Sequence, residues 1–228
     1  MKKTTNKSAS SAPAPSTKRI LVVDDHPVVR QGIKHLLEQE SDLRICAEAE
    51  SAGEALQALQ KQMPDLVIVD ISLKGTDGIE LTKWIRAQDK KIPVLILSMH
   101  DESLYADRAL RAGAHGYLMK AEVADKIVPA VRKVMGGEIY LSEKAGQAIL
   151  HEVTGRGAKG GESPINQLSD REIEVLRLIG QGRGTREIAN LLHLSIKTIE
   201  TYRANIKDKL GLANATQLVR YAAQWVGQ

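Results

Sequence analysis

Acidic, hydroxyl and basic side chains stand where the apolar segments in the first half of the chain end. Asp24 and Asp25 follow the first segment and Asp70 the third, while Ser98 ends the fourth and Lys120 follows the fifth. Three carboxylates close together repel one another and raise one another's pKa values unless a cation lies between them. Oxygen ligands with open positions suit Mg²⁺, which keeps several waters and prefers one or two carboxylates together with phosphate. The pattern therefore predicts a magnesium site that receives a phosphoryl group.

Asp70 is the predicted nucleophile of this site, because it follows the strand expected at the centre of the sheet. A carboxylate attacks an anionic phosphoryl donor only when a metal and a lysine neutralise the oxygens that move. We therefore assign Lys120 and Ser98 to the phosphoryl oxygens, and Asp24 and Asp25 to the metal. Each residue alone also fits an ordinary role as a helix cap, a surface lysine or a strand end. Five of them at successive strand ends favour a site.

Short apolar segments rich in β-branched residues alternate with helix-patterned segments between residues 19 and 135. The apolar segments are Ile20–Val23, Leu43–Ala47, Leu66–Val69, Val94–Leu97 and Gly116–Leu118. Apolar strands that alternate with amphipathic helices indicate a parallel sheet covered on both faces. The predicted fold class is therefore α/β, with a five-stranded doubly wound parallel sheet whose ligand site lies at the carboxyl ends of the strands. Its last helix is expected over about Ala121–Met135.

Three further segments complete the predicted domain organisation. Residues 1–18, rich in Ser, Thr, Ala, Pro and Lys, are expected to form a disordered tail. Residues 136–164 read as a linker with an extended piece at Glu138–Leu141, a helix at Ser142–Val153 and a Gly-rich end. Residues 165–228 lack the strand pattern and predict a second, smaller all-α domain of four short helices. The expected helix caps are Ser169 with Glu172 as a capping box, Thr185, Ser195 and Asn214.

Composition limits the class of protein. The 228 residues include 32 Lys and Arg against 28 Asp and Glu, a net charge of +4 that lies at the two ends of the chain and is weak evidence for a nucleic-acid partner. The single cysteine, Cys46, excludes an internal disulfide framework and a cysteine-based zinc site. The chain shows neither an apolar run of about 18 residues nor a signal-peptide pattern, so we expect a cytoplasmic protein without a membrane partner.

Four segments of the first domain resemble the signatures of a response-regulator receiver domain of the NarL/FixJ subfamily, which has a flavodoxin-like fold. They are VVDDHPVVRQGI, VIVDISLKGTDGIEL, VLILSMHDE and RAGAHGYLMK, within about Arg19–Lys133. The resemblance implies that a cognate histidine kinase phosphorylates Asp70. It also implies that Mg²⁺ is held by Asp24, Asp25, Asp70 and the backbone carbonyl of Ser72.

The same resemblance makes Ser98 and Tyr117 a switch pair that reorients when the phosphoryl group arrives. A half-buried strand aromatic is the other interpretation of Tyr117. Two residues depart from the family pattern, because Lys74 stands where proline is frequent and Ala121 follows the lysine where many members have proline. Neither departure removes a chemical group that the site requires. His100 lies where the family tunes dephosphorylation, although a solvated loop histidine is the simpler interpretation.

The segment from Leu168 to Val219 resembles a LuxR-type helix-turn-helix domain over its whole length. Two helices, Arg186–Leu192 and Ile196–Leu210, join through the tight turn that this motif uses. The resemblance implies that residues of the second helix and of the helix starts contact DNA. Expected base-facing residues are Glu200, Thr201 and Ala204, and expected phosphate contacts are Thr185, Lys197, Thr198, Arg203 and Lys207. Tyr202 fits either a phosphate contact or a packing role.

Glu200 stands where family members often have lysine, and this departure changes the expected base readout, since a glutamate accepts a hydrogen bond from cytosine N4. The resemblance implies a phosphorylation-switched transcriptional regulator rather than a turnover enzyme, active as a homodimer on paired DNA half-sites. Two alternatives remain open. One is a phosphoaspartyl phosphohydrolase, although that class usually places a second aspartate where this chain has Ser72. The other is a constitutive DNA-binding protein whose first domain serves only for dimerisation.

Overall fold

The computed structural model of the chain describes residues 17–73, 76–89, 91–99, 102–153 and 164–227. The predictions for most of the N-terminal tail, for Lys74, for His100 and for the Gly-rich segment 154–163 concern residues outside these ranges. Within the ranges, no helix is both long and apolar enough to cross a membrane.

Five parallel strands form one sheet in the order β2-β1-β3-β4-β5, which confirms the predicted fold class. The strands are β1 (Lys18–Val23), β2 (Leu43–Ala49), β3 (Leu66–Asp70), β4 (Val94–Ser98) and β5 (Gly116–Met119). Each contains its predicted apolar segment and extends it by one or two residues. β1 begins at Lys18, the last residue of the predicted tail, because the Lys18 backbone N–H donates to the Asp42 carbonyl at 2.8 Å.

Helices cover both faces of the sheet, as the continuous apolar strands require. On one face lie α1 (Pro27–Leu37) and α5 (Val123–Met135); on the other lie α2 (Ala52–Gln62), α3 (Gly78–Gln88) and α4 (Glu102–Arg111). Alternate residues of each central strand point to opposite faces, so Val22 and Ile68 pack with α1 and α5 while Val23 and Val69 pack with the other three helices. A short 3-10 turn over Lys120–Glu122 delays the start of α5 beyond the predicted Ala121.

The linker begins against the sheet and the fourth helix of the first domain. Tyr140 bridges β5, since the Tyr117 N–H donates to the Tyr140 carbonyl at 2.9 Å. Helix α6 (Glu143–Val153) then starts after Ser142, whose backbone N–H donates to the buried Glu102 carboxylate at 2.8 Å. The predicted extended piece and helix are therefore both present.

Four short helices form the C-terminal domain: α7 (Asp170–Gly180), α8 (Thr185–Leu191), α9 (Ile196–Lys209) and α10 (Ala215–Val226). The capping box of Ser169 and Glu172 is present, and Ser195 and Asn214 cap α9 and α10 as predicted. The expected cap at Thr185 is wrong. Gly184 is the extended residue before α8, and its N–H donates to Glu187 at 2.9 Å, so Thr185 already lies inside the helix.

Candidate functional site

Three buried carboxylates converge at the carboxyl end of the sheet. Asp24 and Asp25 follow β1 and Asp70 ends β3, and since these two strands are neighbours, their ends lie side by side. The three residues are 1%, 8% and 2% exposed. One ligand atom from each, together with one from His26, lies within 4.8 Å of the others. The structure thus brings together the three aspartates that the sequence assigned to the metal and the phosphoryl group.

Lys120 joins two of these carboxylates through its ammonium group. The Lys120 Nζ lies 2.6 Å from Asp24 Oδ2 and 2.8 Å from Asp70 Oδ2. Burial raises the pKa of Asp70 above its usual value, and the Lys120 ammonium offsets part of that effect. Burial by itself lowers the pKa of Lys120, but the attraction of Asp70 and Asp24 outweighs it, so the pKa of Lys120 is raised.

The charges around this cluster fit a divalent cation. Three carboxylates face one ammonium group, so the cluster carries excess negative charge in a buried place, where charge is costly. Carboxylate oxygens are the ligands that Mg²⁺ prefers. The donor set is therefore consistent with the magnesium site predicted from the sequence.

The two residues of the predicted switch pair lie on adjacent strands and are buried. Ser98 ends β4 and is 0% exposed, and Tyr117 on β5 is 1% exposed. The structure corrects the interpretation of Tyr117 as a half-buried aromatic, because the residue is enclosed between β5 and the helices on that face. Ser98 lies one residue beyond Leu97, which pairs with Asp70 across the sheet. Its hydroxyl thus belongs to the same sheet edge as the phosphoryl-acceptor candidate.

The loop after β3 surrounds Asp70 closely. The Ser72 backbone N–H bonds to the Asp70 carboxylate and lowers its pKa in part. Gly78 packs so tightly that a Cβ there would lie 2.0 Å from the Asp70 carbonyl oxygen. Only glycine permits this approach, a requirement that our sequence analysis missed. The available signal was its position in the sequence, because Gly78 is the first residue of the helix that follows the strand ending in Asp70.

Arg30 is a second residue that the sequence analysis missed. It is 8% exposed, and its Nη1 donates to the Asp24 carbonyl at 2.6 Å while Nη2 contacts Glu50 at 2.6 Å. The guanidinium therefore fixes the backbone that carries the acidic pair. The signal was present in the helical spacing, because Arg30 lies on the same face of α1 as the buried Ile33 and Leu37.

The candidate DNA-contacting residues cluster on α9 and at the start of α8. The base-facing candidates Glu200, Thr201 and Ala204 are all exposed, whereas Ile199 and Ile206 are buried on the opposite face. Lys197 is also exposed, and the side chains Thr185, Thr198, Tyr202, Arg203 and Lys207 are partly buried. Tyr202 packs against the domain core, which supports its packing role, and burial lowers the pKa of the Arg203 guanidinium.

Residues of both domains line a cavity of about 90 Å³ at the mouth of the acidic site. The first domain contributes Asp25, His26, Ser72 and Leu73, and the second contributes Arg171, Glu174, Leu191, Leu192 and His193. Two hydrogen bonds join the domains nearby. Arg171 Nη2 donates to the Leu73 carbonyl at 3.4 Å, and Arg108 Nη2 donates to the Leu168 carbonyl at 2.6 Å.

Two protein families match the chain, one for each domain. Residues 20–132 match the response regulator receiver domain, and residues 166–222 match the bacterial regulatory proteins of the luxR family. The chain is 36% identical over 208 residues to the oxygen regulatory protein NreC of Staphylococcus carnosus, covering 90% of this chain and 96% of NreC. It is 37% identical over 203 residues to the Fimbriae Z protein of Salmonella typhimurium, covering 89% and 95% of the two chains.

Solved structures show the same likeness. A two-component response regulator of the LuxR family from Aurantimonas sp. is 39% identical, covers 61% of this chain and 99% of its own, and has a TM-score of 0.57. RcsB of Salmonella enterica serovar Typhimurium, bound to the promoter rprA in the presence of the phosphomimetic BeF3⁻, is 27% identical with a TM-score of 0.58. That match covers 91% of this chain and 99% of RcsB.

Proposed function

Because this chain belongs to the two-component response regulators of the NarL/FixJ family, with a receiver domain and a LuxR-type DNA-binding domain, we propose that phosphorylation of Asp70 switches it. The observation that carries the proposal is the Lys120 ammonium group, which lies between Asp24 and Asp70 at 2.6 and 2.8 Å. A lysine in this place neutralises a phosphoryl group on Asp70 while the aspartate pair keeps its oxygens for a cation.

The phosphoryl donor is the phosphohistidine of a cognate histidine kinase. An Asp70 oxygen attacks the phosphorus, a P–O bond forms, and the P–N bond to the donor imidazole breaks. The imidazole leaves with the electron pair of that bond and takes up a proton. Lys120 pairs with the phosphoryl oxygens during the transfer, and the Ser98 hydroxyl donates a hydrogen bond to one of them. The product is an acyl phosphate on Asp70.

A magnesium ion is the cofactor that we assign to this site. Its ligands would be Asp24, Asp25, Asp70 and the backbone carbonyl of Ser72. When bound, Mg²⁺ supplies positive charge that offsets the negative charge of the phosphoryl oxygens. The three carboxylates would hold the ion, and Lys120 would balance the remaining negative charge.

The phosphoryl group changes the conformation through Ser98 and Tyr117. A new dianion on Asp70 draws the Ser98 hydroxyl toward it, and the space vacated at the end of β4 accepts the Tyr117 ring. Both side chains are buried, so their rearrangement alters packing rather than solvated surface. The expected result is a shift of the receiver toward a dimerising state.

DNA is the proposed partner of the C-terminal domain. Helix α9 presents Glu200, Thr201 and Ala204 on its exposed face, which is the face that a major groove accepts. The expected phosphate contacts are Thr185, Lys197, Thr198, Arg203 and Lys207, with Tyr202 as a packing residue. A two-fold dimer of the active protein reads paired half-sites about one helical turn, or a multiple of it, apart. RcsB, a relative in structure, has been solved with DNA.

Phosphorylation with acetyl phosphate and Mg²⁺ tests the proposal directly. The wild-type protein is expected to gain one acid-labile phosphoryl group, and Asp70→Asn is expected to gain none. Label on Asp70→Asn at an acid-stable position would contradict the assignment of Asp70. The same labelling with a cognate kinase as donor tests the assigned partner.

One observation favours a second candidate, a constitutive DNA-binding protein whose receiver serves only for dimerisation. The base-facing residues of α9 are exposed, and nothing among the described residues covers them. Operator affinity measured with and without acetyl phosphate separates the two candidates. An increase on phosphorylation supports the switch, and equal affinities support the constitutive protein.

A further inference from the structure

An imidazole nitrogen stands among the three carboxylates of the acidic site. His26 Nδ1 lies 2.7 Å from Asp25 Oδ1 and 3.2 Å from Asp24 Oδ1. With one oxygen from each of the three aspartates, it completes a set of four ligand atoms within 4.8 Å of one another. Two ligands on opposite sides of one cation, each about 2.1 Å from it, lie about 4.2 Å apart, so a small closure of this set lets the four atoms share one cation.

The sequence around His26 fixes the backbone that aims this ring. Pro27 is the first residue of α1, and a residue before proline is restricted to an extended backbone. His26 accordingly has φ −99° and ψ 108° as the residue that precedes the helix. Its backbone N–H donates to Asp24 Oδ1 at 2.8 Å, so the backbone and the ring of His26 contact the same carboxylate oxygen.

The His26 side chain makes no hydrogen bond that caps the helix. A cap at this position usually accepts a hydrogen bond from the first turn of the helix. Here the ring turns to the carboxylates instead, although its side chain is 60% exposed and water is accessible to it. The His26 ring therefore faces the cation site rather than the start of the helix.

We propose that His26 is a further ligand of the divalent cation. The site then also accepts Mn²⁺ or a later first-row cation, and binds it more tightly than the Mg²⁺ assigned above. Magnesium is a hard ion that favours oxygen, whereas imidazole suits the transition cations. Three carboxylates and one imidazole form a mixed oxygen and nitrogen donor set. This inference rests on the proposed function, since it concerns the cation that the acidic site holds, and it makes His26 the residue that determines metal preference.

Pulsed electron paramagnetic resonance of the full-length protein tests the ligation. The protein is labelled with ¹⁵N-histidine only, loaded with one equivalent of Mn²⁺ and held at one neutral pH. We expect a ¹⁵N coupling of directly bound imidazole in the wild type, and its loss in His26→Ala. The matched control is His35→Asn, an exposed histidine on the same helix, which is expected to keep the coupling.

Calorimetric titration with Mg²⁺ and Mn²⁺ measures the preference. His26→Ala is expected to bind Mn²⁺ about tenfold or more weakly than the wild type. Removing a residue that only hydrogen-bonds to a metal ligand already causes a loss of about this size. Its Mg²⁺ affinity is expected to change less, so the ratio of the two dissociation constants falls.

The outcomes separate this inference from the proposed function. Oxygen-only Mn²⁺ coordination in the wild type, with the same affinity ratio in His26→Ala, overturns the ligand role of His26 and leaves the phosphorylation site intact. If neither cation binds the wild type, both the ligand role of His26 and the proposed function are overturned. Circular dichroism of each variant shows that a lost coupling does not come from unfolding.

Discussion

Charge balance at single residues governs the acidic site. Among the described residues, Lys120 places its ammonium group within 2.8 Å of Asp24 and Asp70, and Arg30 holds the Asp24 backbone through the Asp24 carbonyl. The raised pKa of Asp70 has the same origin, since burial opposes its charge and Asp24 repels it. Each of these residues therefore affects stability as well as chemistry.

Lys120→Met is expected to destabilise the metal-free protein by about 3 kcal/mol, because removing one partner of a buried ion pair leaves an uncompensated charge. Saturating Mg²⁺ is expected to restore part of that loss, since the cation replaces the missing charge. Urea denaturation with a chelator and with Mg²⁺ measures both effects. Lys126→Met removes an exposed lysine and serves as the control. A Lys120→Met protein as stable as the wild type without metal would contradict the role of the ammonium group.

Helix and strand contacts decide where the acceptor strand ends. Gly78 begins α3 directly beneath Asp70, and its N–H donates to the Ile71 carbonyl at 2.8 Å. The close approach of α3 to β3 thus determines the shape of the loop that carries Ser72.

Gly78→Ala is expected to lower the free energy of unfolding by about 3 kcal/mol, because the added methyl group lies 2.0 Å from backbone and α3 must shift. Phosphorylation by acetyl phosphate is also expected to be slower in Gly78→Ala than in the wild type. Gly53→Ala is the matched control, because that helical glycine has no atom within 4 Å of an added Cβ and alanine suits a helix better. Equal stabilities of the two variants would show that α3 tolerates the shift.

Glu172 connects the start of α7 to the end of α9. Its Oε2 accepts the Ser169 N–H at 2.7 Å and contacts Lys209 Nζ at 2.7 Å. Burial alone raises the pKa of Glu172, but these two donors outweigh it and hold the pKa below its usual value. A carboxylate with a lowered folded-state pKa stabilises the protein above its unfolded-state pKa and loses that contribution as the pH falls through the folded-state value.

Glu172→Gln is therefore expected to be less stable than the wild type by about 1 kcal/mol at neutral pH, with a difference that shrinks below about pH 4. Denaturation followed by Trp225 fluorescence in a Trp84→Phe background measures the C-terminal domain. Gln147→Glu, a change on the exposed face of α6, controls for charge alone. A difference that is constant from neutral to acid pH would contradict the titration of Glu172.

The two domains meet at the mouth of the proposed phosphorylation site. Arg108, on α4 of the receiver, donates to the Leu168 carbonyl ahead of α7, and Arg171 donates to the Leu73 carbonyl beside Asp70. A small phosphate donor needs little space there, whereas the phosphohistidine of a kinase arrives on a whole domain. Separation of the two domains is therefore expected to speed phosphorylation by the kinase more than phosphorylation by a small donor.

Arg108→Ala is expected to speed phosphorylation by the kinase about tenfold relative to acetyl phosphate, because a hydrogen bond from a charged group is worth about 1.5 kcal/mol. Phosphorylation rates with the two donors measure this ratio. Arg111→Ala is the control, since Arg111 pairs with Asp107 on the same helix and is exposed. An unchanged ratio in Arg108→Ala would show that the kinase reaches Asp70 without domain opening.

The sequence by itself determined the α/β class, the five-stranded doubly wound parallel sheet, and the polar residues at the strand ends. These follow from local periodicity, and parallel strands bring their carboxyl ends to one edge whatever the details of packing. The capping box of Ser169 and the turn between α8 and α9 were predictable for the same reason, because they depend on neighbours in sequence.

Only the tertiary structure decided which side chains approach one another across elements. Thr185 was wrongly predicted as the N-cap of α8, because the cap is the last residue with an extended backbone, and in the structure that residue is Gly184. Gly78 beneath Asp70 and Arg108 at the Leu168 carbonyl are contacts between elements that packing brings together. Helical spacing indicates that Arg30 is buried, but not that it bonds to the Asp24 carbonyl. The spacing of residues in the sequence indicates which face of a helix or strand a residue occupies. The distances between helices and strands depend on the whole core, because it is close-packed and every side chain in it contributes.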